Sequence, residues 1–141
     1  MMTSAQQRAA HLLHYFGRSC RTEITLNEGI CVLLGDDGQE AAVIEVPEHG
    51  DSLLVHCQIL NLQGEENPVV YKLMLQLNFE MAAMRGCWLA LDEYYNLRLC
   101  AQHSLATLDE ARFSAILSGF IQQVKETQSF IASLLEKTRA A

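Results

Sequence analysis

The side chains here that could do chemistry are five histidines, five cysteines and a few paired carboxylates. His11 and His14 are three residues apart, a spacing that can bind a metal ion on a helix but is weakly specific by itself. His56 and Cys57 are adjacent in a strand-like segment, so their side chains point to opposite faces and cannot act together as base and nucleophile. The sequence therefore predicts no catalytic residue and no metal site.

The paired carboxylates are better explained as turns. Asp36 and Asp37 lie between two glycines. Two carboxylates would repel a phosphate, and the regularly spaced oxygen ligands of a calcium-binding loop are absent. Asp92 and Glu93 precede two tyrosines and an asparagine, again a turn between strands. A small-molecule enzyme or sensor needs convergent polar groups in a concave site, and nothing in the sequence assembles one. We expect a protein that is not an enzyme and has no cofactor.

The amino-acid composition of the chain limits the kinds of partner that it can bind. The chain has 141 residues, ten basic and seventeen acidic, with a net charge of -7. This balance disfavours nucleic acid, whose binding needs clustered Lys and Arg. No apolar run approaches the ~20 residues that span a bilayer, and no signal peptide is evident. We expect one domain over residues 1–141, located in the cytoplasm without membrane insertion.

Cysteine usage agrees with a reducing compartment. The cysteines are odd in number, widely spaced and mostly in strand-like apolar surroundings, unlike a disulfide framework or a paired-cysteine metal site. We therefore expect five reduced thiols: Cys20, Cys31, Cys57, Cys87 and Cys100.

Hydrophobic periodicity predicts the elements that must position any site. The expected class is α+β, ordered helix, three strands, helix, two strands, helix, with an antiparallel twisted sheet and flanking helices. The predicted helices cover about residues 4–18, 69–84 and from a cap at 107–110 to about 137. The predicted strands cover about 24–34, 41–46, 52–60, 87–92 and 96–103.

Helix-start signals support these boundaries. Thr3 or Ser4 can cap the first helix, with a glutamine three positions later. Pro68 stands where proline can open the central helix. Thr107 and Glu110 form a capping-box pattern for the last helix.

The predicted central helix is apolar almost all the way round. Its polar stripe, Lys72, Gln76 and Glu80, is one residue wide, whereas a surface helix normally shows one apolar stripe. We therefore expect a homodimer in which one flank packs on its own sheet and the other on a second copy. Trp88 suits a core position and a dimer contact equally. The predicted dimer interface contains Val70, Tyr71, Met74, Leu77, Met81 and Trp88.

Two stretches resemble a known family. The first reads Leu73-x-Leu75-Gln76-Leu77-Asn78-Phe79 and then Gly86-x-x-Leu89-Ala90-Leu91-Asp92. It resembles the second helix and fourth strand of the class I type III secretion chaperones, the Tir-chaperone family. The second, Leu26-Asn27-Glu28-Gly29-Ile30-Cys31-Val32-Leu33, is similar to that family's first strand, usually Leu-Asp-Glu-x-Gly-x-Cys-x-Leu. Here Asn27 replaces the aspartate, and the spacing is one residue tighter.

The resemblance, which in order of elements covers about residues 4–137, implies a function. Family members are small acidic homodimers with a role in protein secretion and virulence. They bind the N-terminal region of a secreted effector as an extended chain, keep it secretion-competent in the bacterial cytoplasm and help deliver it to the export apparatus and its ATPase.

By analogy with the family, the effector-binding grooves lie on the first helix and the first three strands. The candidate residues are Leu12, Leu13, Phe16, Ile24, Leu26, Val32 and Leu34. Core packing is the competing interpretation for each of them. The strand pattern alone does not decide whether Val32 and Leu34 or Cys31 and Leu33 face outward.

One alternative of the same fold class stays open. A non-catalytic adaptor or regulator that binds a folded component of the secretion machinery would share the dimer helix but need no long groove. Protection of an extended client from protease would separate the two functions.

Overall fold

The computed structural model describes residues 1–140 and confirms the predicted α+β order of elements. Within these residues the α-helices are α1 (Ser4–Ser19), α2 (Pro68–Asn78), α3 (Met81–Met84) and α4 (Glu110–Ala140). The strands are β1 (Ile30–Leu34), β2 (Glu40–Glu45), β3 (Ser52–Asn61), β4 (Trp88–Leu91) and β5 (Asn96–Ser104). A short 3₁₀ turn, Leu105–Thr107, joins β5 to α4.

The strands form one antiparallel sheet in the order β1-β2-β3-β5-β4, so β1 and β4 are its edges. Cys31, Ile44, Val55 and Ala101 are successive cross-strand partners, and all four are buried. This inner face forms the core with α1 and α4, because α4 packs across β2 and β3 and α1 packs on α4. The opposite, outer face has exposed side chains on both edge strands.

Two of the three predicted helix starts are confirmed. Thr3 forms a reciprocal capping box with Gln6, and Pro68 stands at the first position of α2. The capping box predicted at Thr107 is wrong. Thr107 lies in the 3₁₀ turn, and the cap of α4 is Asp109, whose carboxylate accepts a hydrogen bond from the Arg112 amide at 2.7 Å. The buried Leu108 between them is extended, so α4 can begin only after it.

The central helix is broken, which corrects the prediction of one helix over residues 69–84. α2 ends at Asn78, and α3 begins at Met81. The Asn78 amide hydrogen-bonds both backbone groups of Leu89, at 2.7 and 3.1 Å, and this ties the end of α2 to β4. A side chain that bonds backbone elsewhere competes with helix continuation. After the break, Met84 is buried in the core.

The first strand begins later than predicted. Residues 27–30 form a tight turn in which Asn27 and Ile30 exchange two backbone hydrogen bonds, so β1 starts at Ile30 and not near residue 24. Gly29 has φ of +78° in this turn, and a Cβ there would lie 2.6 Å from the Val46 carbonyl oxygen. The turn therefore depends on glycine for both its backbone conformation and its close packing.

The last helix lies along the domain for its whole described length. Ile131 and Leu135 are buried in the core, and Arg139 pairs with Glu65 at 2.8 Å in the loop before α2. No helix within residues 1–140 combines the length and the apolar character needed to cross a bilayer.

All five cysteines have free thiols. Burial raises the pKa of Cys31 and Cys87, and it raises that of Cys57, next to the Glu40 carboxylate, to about 12. A raised pKa keeps a thiol protonated and poorly nucleophilic. These cysteines are therefore packing residues in this fold.

Candidate functional site

The outward side of β1 is apolar. Val32 is 55% exposed and Leu34 is 65% exposed, whereas Cys31 and Leu33 are buried. The structure thus decides which pair faces out, a choice that the sequence left open. Ile30, which was not among the predicted residues, is exposed on the same side. β1 presents a stripe of three apolar side chains to solvent.

The free side of β1 also presents backbone hydrogen-bonding groups. Ile30 bonds to Asn27 on the side away from β2. Because hydrogen-bonding directions alternate along an antiparallel strand, the N–H and C=O of Val32 also point away from β2. Among the described residues, Val32 makes no backbone hydrogen bond outside the sheet. This edge can accept a further strand.

A groove of about 610 Å³ lies between β1 and residues 20–25, the segment that follows α1. It brings together four of the predicted effector-binding residues: Phe16, Ile24, Val32 and Leu34. Glu23, Asp36 and Lys125 supply its charged side chains. We name this the β1 groove. Its shape fits an extended chain beside an edge strand.

The other predicted effector-binding residues lie deeper. Leu12 and Leu13 are buried in the core, and Leu26 is half-buried against it. Phe16 is also buried, with its ring edge-on to that of Phe113 at a centroid distance of 6.5 Å. Of these four residues only Phe16 lines the β1 groove, and direct contact with an effector stays a prediction for all of them.

The residues of the predicted dimer interface divide into two sets. Val70, Met74 and Leu77 point into the core of their own chain. Tyr71 is half-buried, and its hydroxyl donates a hydrogen bond to the Glu65 carbonyl at 3.0 Å. These four residues hold α2 on the sheet. The remaining two, Met81 and Trp88, are exposed.

Exposed apolar side chains flank the break between α2 and α3. Phe79 and Met81, on either side of the break, are 86% and 84% exposed. We name this surface the α2–β4 face; its large apolar side chains are Leu75, Phe79, Met81 and Leu91. Trp88 points to the opposite, outer face of β4, so a dimer contact for it stays a prediction. Leu75, Phe79 and Leu91 were absent from the predicted interface. The i, i+4 spacing of Leu75 and Phe79, on the flank opposite Leu73 and Leu77, is the sequence signal that could have identified two of them.

The outer face of the sheet carries a polar network that sequence reasoning missed. Arg98 donates from Nε to His56 Nδ1 and from Nη2 to Glu40, both at 2.8 Å, and the other ring nitrogen of His56 bonds Glu45. Burial raises the pKa of Glu40, but the Gln58 amide and Arg98 outweigh it, so this pKa is lowered overall. These residues come from three strands, β2, β3 and β5, so only the sheet register brings them together.

This network is structural in character. Cys57, the nearest thiol in sequence, is on the opposite face of β3 and is fully buried. His11 does not pair with His14 but bonds the Glu110 carboxylate at 2.7 Å. Within residues 1–140 no three His, Cys, Asp or Glu side chains form a cluster suited to a metal ion.

Comparison with solved structures identifies the fold. The ExsC–ExsE complex matches with a TM-score of 0.75 and 18% identity, over 93% of this chain and 97% of the matched chain. The HopA1–SchA chaperone–effector complex matches with a TM-score of 0.71 and 14% identity, over 92% and 99%. The ExoU–SpcU complex from the type III secretion system of Pseudomonas aeruginosa gives 0.61 and 20%, over 85% and 93%. At these identities the likeness establishes the fold alone.

Sequence comparison establishes the family. None of the curated proteins compared with this chain matches it. The family model of the Tir chaperone proteins (CesT) matches residues 11–128, well over half of the chain. This range contains both stretches that resemble the family, together with β1 and the α2–β4 face. The chain therefore belongs to the Tir chaperone protein (CesT) family.

Proposed function

We propose that this protein is a chaperone of the bacterial cytoplasm that binds the N-terminal region of a type III secreted effector as an extended chain. It keeps the effector secretion-competent and aids its delivery to the export ATPase. The observation that carries the proposal is the open edge of β1, with its apolar stripe beside the β1 groove. Family membership and the similarity to a chaperone–effector complex support it.

The binding mode follows from the geometry of the edge. An effector segment pairs with the outward N–H and C=O of Val32 and extends the sheet by one strand. Alternate side chains of that strand then point into the β1 groove and onto the outer face beside Val32 and Leu34. Burying each of these two side chains contributes about 1–2 kcal/mol. The backbone supplies general affinity, and the groove selects side chains.

The α2–β4 face supports the proposal of a homodimer. Its large apolar side chains are strongly exposed in the single chain, as on a surface that a partner covers. A second copy related by a two-fold axis would bury the same face on both chains. Phe79 supplies a large aromatic group that can anchor such a contact. The dimer places two β1 grooves on one particle, which suits an effector segment long enough to wrap it.

Catalysis is no part of this proposal. The family is a class of chaperones. Arg98, His56 and Glu40 are engaged with one another, and the thiol next to them in sequence faces the core. Binding alone accounts for the exposed features of the chain.

The proposal is tested by capture from the native bacterium under secretion-inducing conditions. The tagged chain is pulled down, bound proteins are identified by mass spectrometry, and protected segments are mapped by limited proteolysis. We expect secreted proteins protected over a long N-terminal stretch. Recovery of only folded components of the secretion machinery would replace this function with the adaptor. The matched control is Val32→Asp, which keeps the core intact and should reduce capture.

A further inference from the structure

The outer face of the sheet is a surface in its own right, with apolar ends and a charged centre. Val32, Val43, His56, Cys100 and Trp88 are successive cross-strand partners that cross all five strands in one row. The row spans roughly 19 Å, since neighbouring strands lie ~4.8 Å apart. Val32 and Trp88, at its two ends, are exposed, whereas Val43 and Cys100 are buried. A partner that crosses this face meets apolar contacts at both ends.

Carboxylates surround the middle of the row. Glu45 bonds His56, while Glu40 and Asp92 lie 2.8 and 3.8 Å from the two terminal nitrogens of Arg98. His56 Nδ1 accepts a hydrogen bond from Arg98 Nε, so this nitrogen carries no proton and the ring is neutral while the network is intact. Three carboxylates therefore face one guanidinium and a neutral imidazole. The centre of the face holds an excess of two negative charges.

The negative groups are also the more accessible ones. The Arg98 side chain is 14% exposed, whereas that of Glu45 is 36% exposed. The carboxylates are therefore more exposed to solvent than the guanidinium, so an approaching chain contacts negative charge first. The exposed ring of Trp88 at the end of the row favours the same partner, because Arg and Lys pack well on aromatic faces.

We propose that the outer face docks a cationic–apolar segment of the effector, one with Lys or Arg beside apolar side chains. This proposal rests on the proposed function and adds the chemistry by which effector segments are selected. The apolar ends supply affinity, and the carboxylates reject acidic segments because like charges would be brought together. Binding is therefore weakened by salt, unlike strand addition at β1.

Two synthetic peptides of about 12 residues test the charge preference, a length sufficient to cross the row. They share the same leucines and differ only in having Lys or Glu at the polar positions. Fluorescence anisotropy with the full chain measures their affinities at roughly 50 and 300 mM NaCl. We expect the Lys peptide to bind at least about tenfold more tightly at low salt and to lose most of this advantage at high salt. Equal binding of the two peptides would overturn the proposal.

Matched variants locate the binding site on the chain. Glu45→Gln removes one charge from the outer face and keeps an acceptor for His56, whereas Glu136→Gln removes the same charge from an exposed position on α4. We expect Glu45→Gln to weaken binding of the Lys peptide about threefold and Glu136→Gln to leave that affinity unchanged. Equal effects of the two variants would mean a response to net charge alone, and the docking site would be abandoned.

Effector capture separates this inference from the proposed function. If Glu45→Gln captures the same secreted proteins with unchanged salt sensitivity, the chaperone function stands and the docking of a cationic segment falls. If the unaltered chain captures no secreted protein, the chaperone function itself falls.

Discussion

The side-chain amide of Asn78 pairs with the backbone of Leu89 as a neighbouring strand would. Its oxygen accepts from the Leu89 N–H at 2.7 Å, and its nitrogen donates to the Leu89 carbonyl at 3.1 Å. The edge of β4 is therefore closed at Leu89, its second residue, as the edge of β1 is closed at Ile30 by Asn27. Closing a residue in this way prevents it from pairing with a further strand, because unpaired edge groups are what recruit one.

Asn78→Ala should open the β4 edge. The loss of two hydrogen bonds at a half-buried site should lower the free energy of unfolding by about 1–2 kcal/mol. Hydrogen exchange should show the Leu89 amide becoming at least about tenfold faster, because its partner is gone. Asn78→Asp, which keeps the acceptor for this amide, is the matched variant and should preserve its protection. Unchanged exchange in Asn78→Ala would show that Asn78 does not close the edge.

Val32→Asp and Leu33→Asp test the two sides of β1 with neighbouring residues. Val32 is exposed, so Val32→Asp should leave circular dichroism and the unfolding midpoint nearly unchanged and weaken effector capture by about tenfold. Leu33 is buried, so a carboxylate there should cost at least about 3 kcal/mol and unfold much of the population. Capture by Val32→Asp at the level of the unaltered chain would rule out β1 as the binding edge.

Leu75→Glu and Met74→Glu make the corresponding test for α2. Leu75 is exposed on the α2–β4 face, so Leu75→Glu should yield a folded monomer. A carboxylate in a dry contact costs about 3 kcal/mol, which raises the dimer dissociation constant by about two orders of magnitude. Met74 is buried in its own chain, so Met74→Glu should destabilise the fold itself. Sedimentation at micromolar concentration provides the measurement, and a Leu75→Glu dimer would refute this interface.

Gly29→Ala should be among the most damaging glycine substitutions in the chain. A Cβ would lie 2.6 Å from the Val46 oxygen and 2.8 Å from the Gln6 side-chain nitrogen, at a φ of +78°. We expect a loss of at least about 3 kcal/mol in urea unfolding, from strain and overpacking together. Gly50→Ala has a φ of +91° but open space around it, and should cost only about 1 kcal/mol. Equal losses would mean that close packing at Gly29 contributes nothing.

Stability should fall in acid because of Glu40. Its pKa in the folded protein lies below the ordinary value of 4.5, so folding favours the ionised form. The resulting stability is present above pH 4.5 and is lost as pH falls through the folded pKa. Glu40→Gln should therefore give a shallower decline of unfolding free energy below pH 4.5 than Glu136→Gln, measured by urea titration. Identical slopes would exclude Glu40 as a source of acid sensitivity.

The order of elements could be predicted from sequence because local patterns determine it. The alternation of side chains along the chain identified β1, and the capping residue Thr3 identified the start of α1. The glycines and carboxylates of residues 35–38 identified the turn there. The boundaries that failed depended on tertiary contacts. The break at Phe79 requires the Asn78–Leu89 pairing, and the late start of β1 requires the packing of Gly29 against Val46.

The sequence by itself determined the order of helices and strands and the resemblance to a chaperone family. Only the tertiary structure decided which side chains remain outside. Met74 and Leu75 are adjacent, apolar and alike in composition, yet one is in the core and the other on the α2–β4 face. Periodicity specifies which residues share a face, but the direction of that face is set by what packs against it.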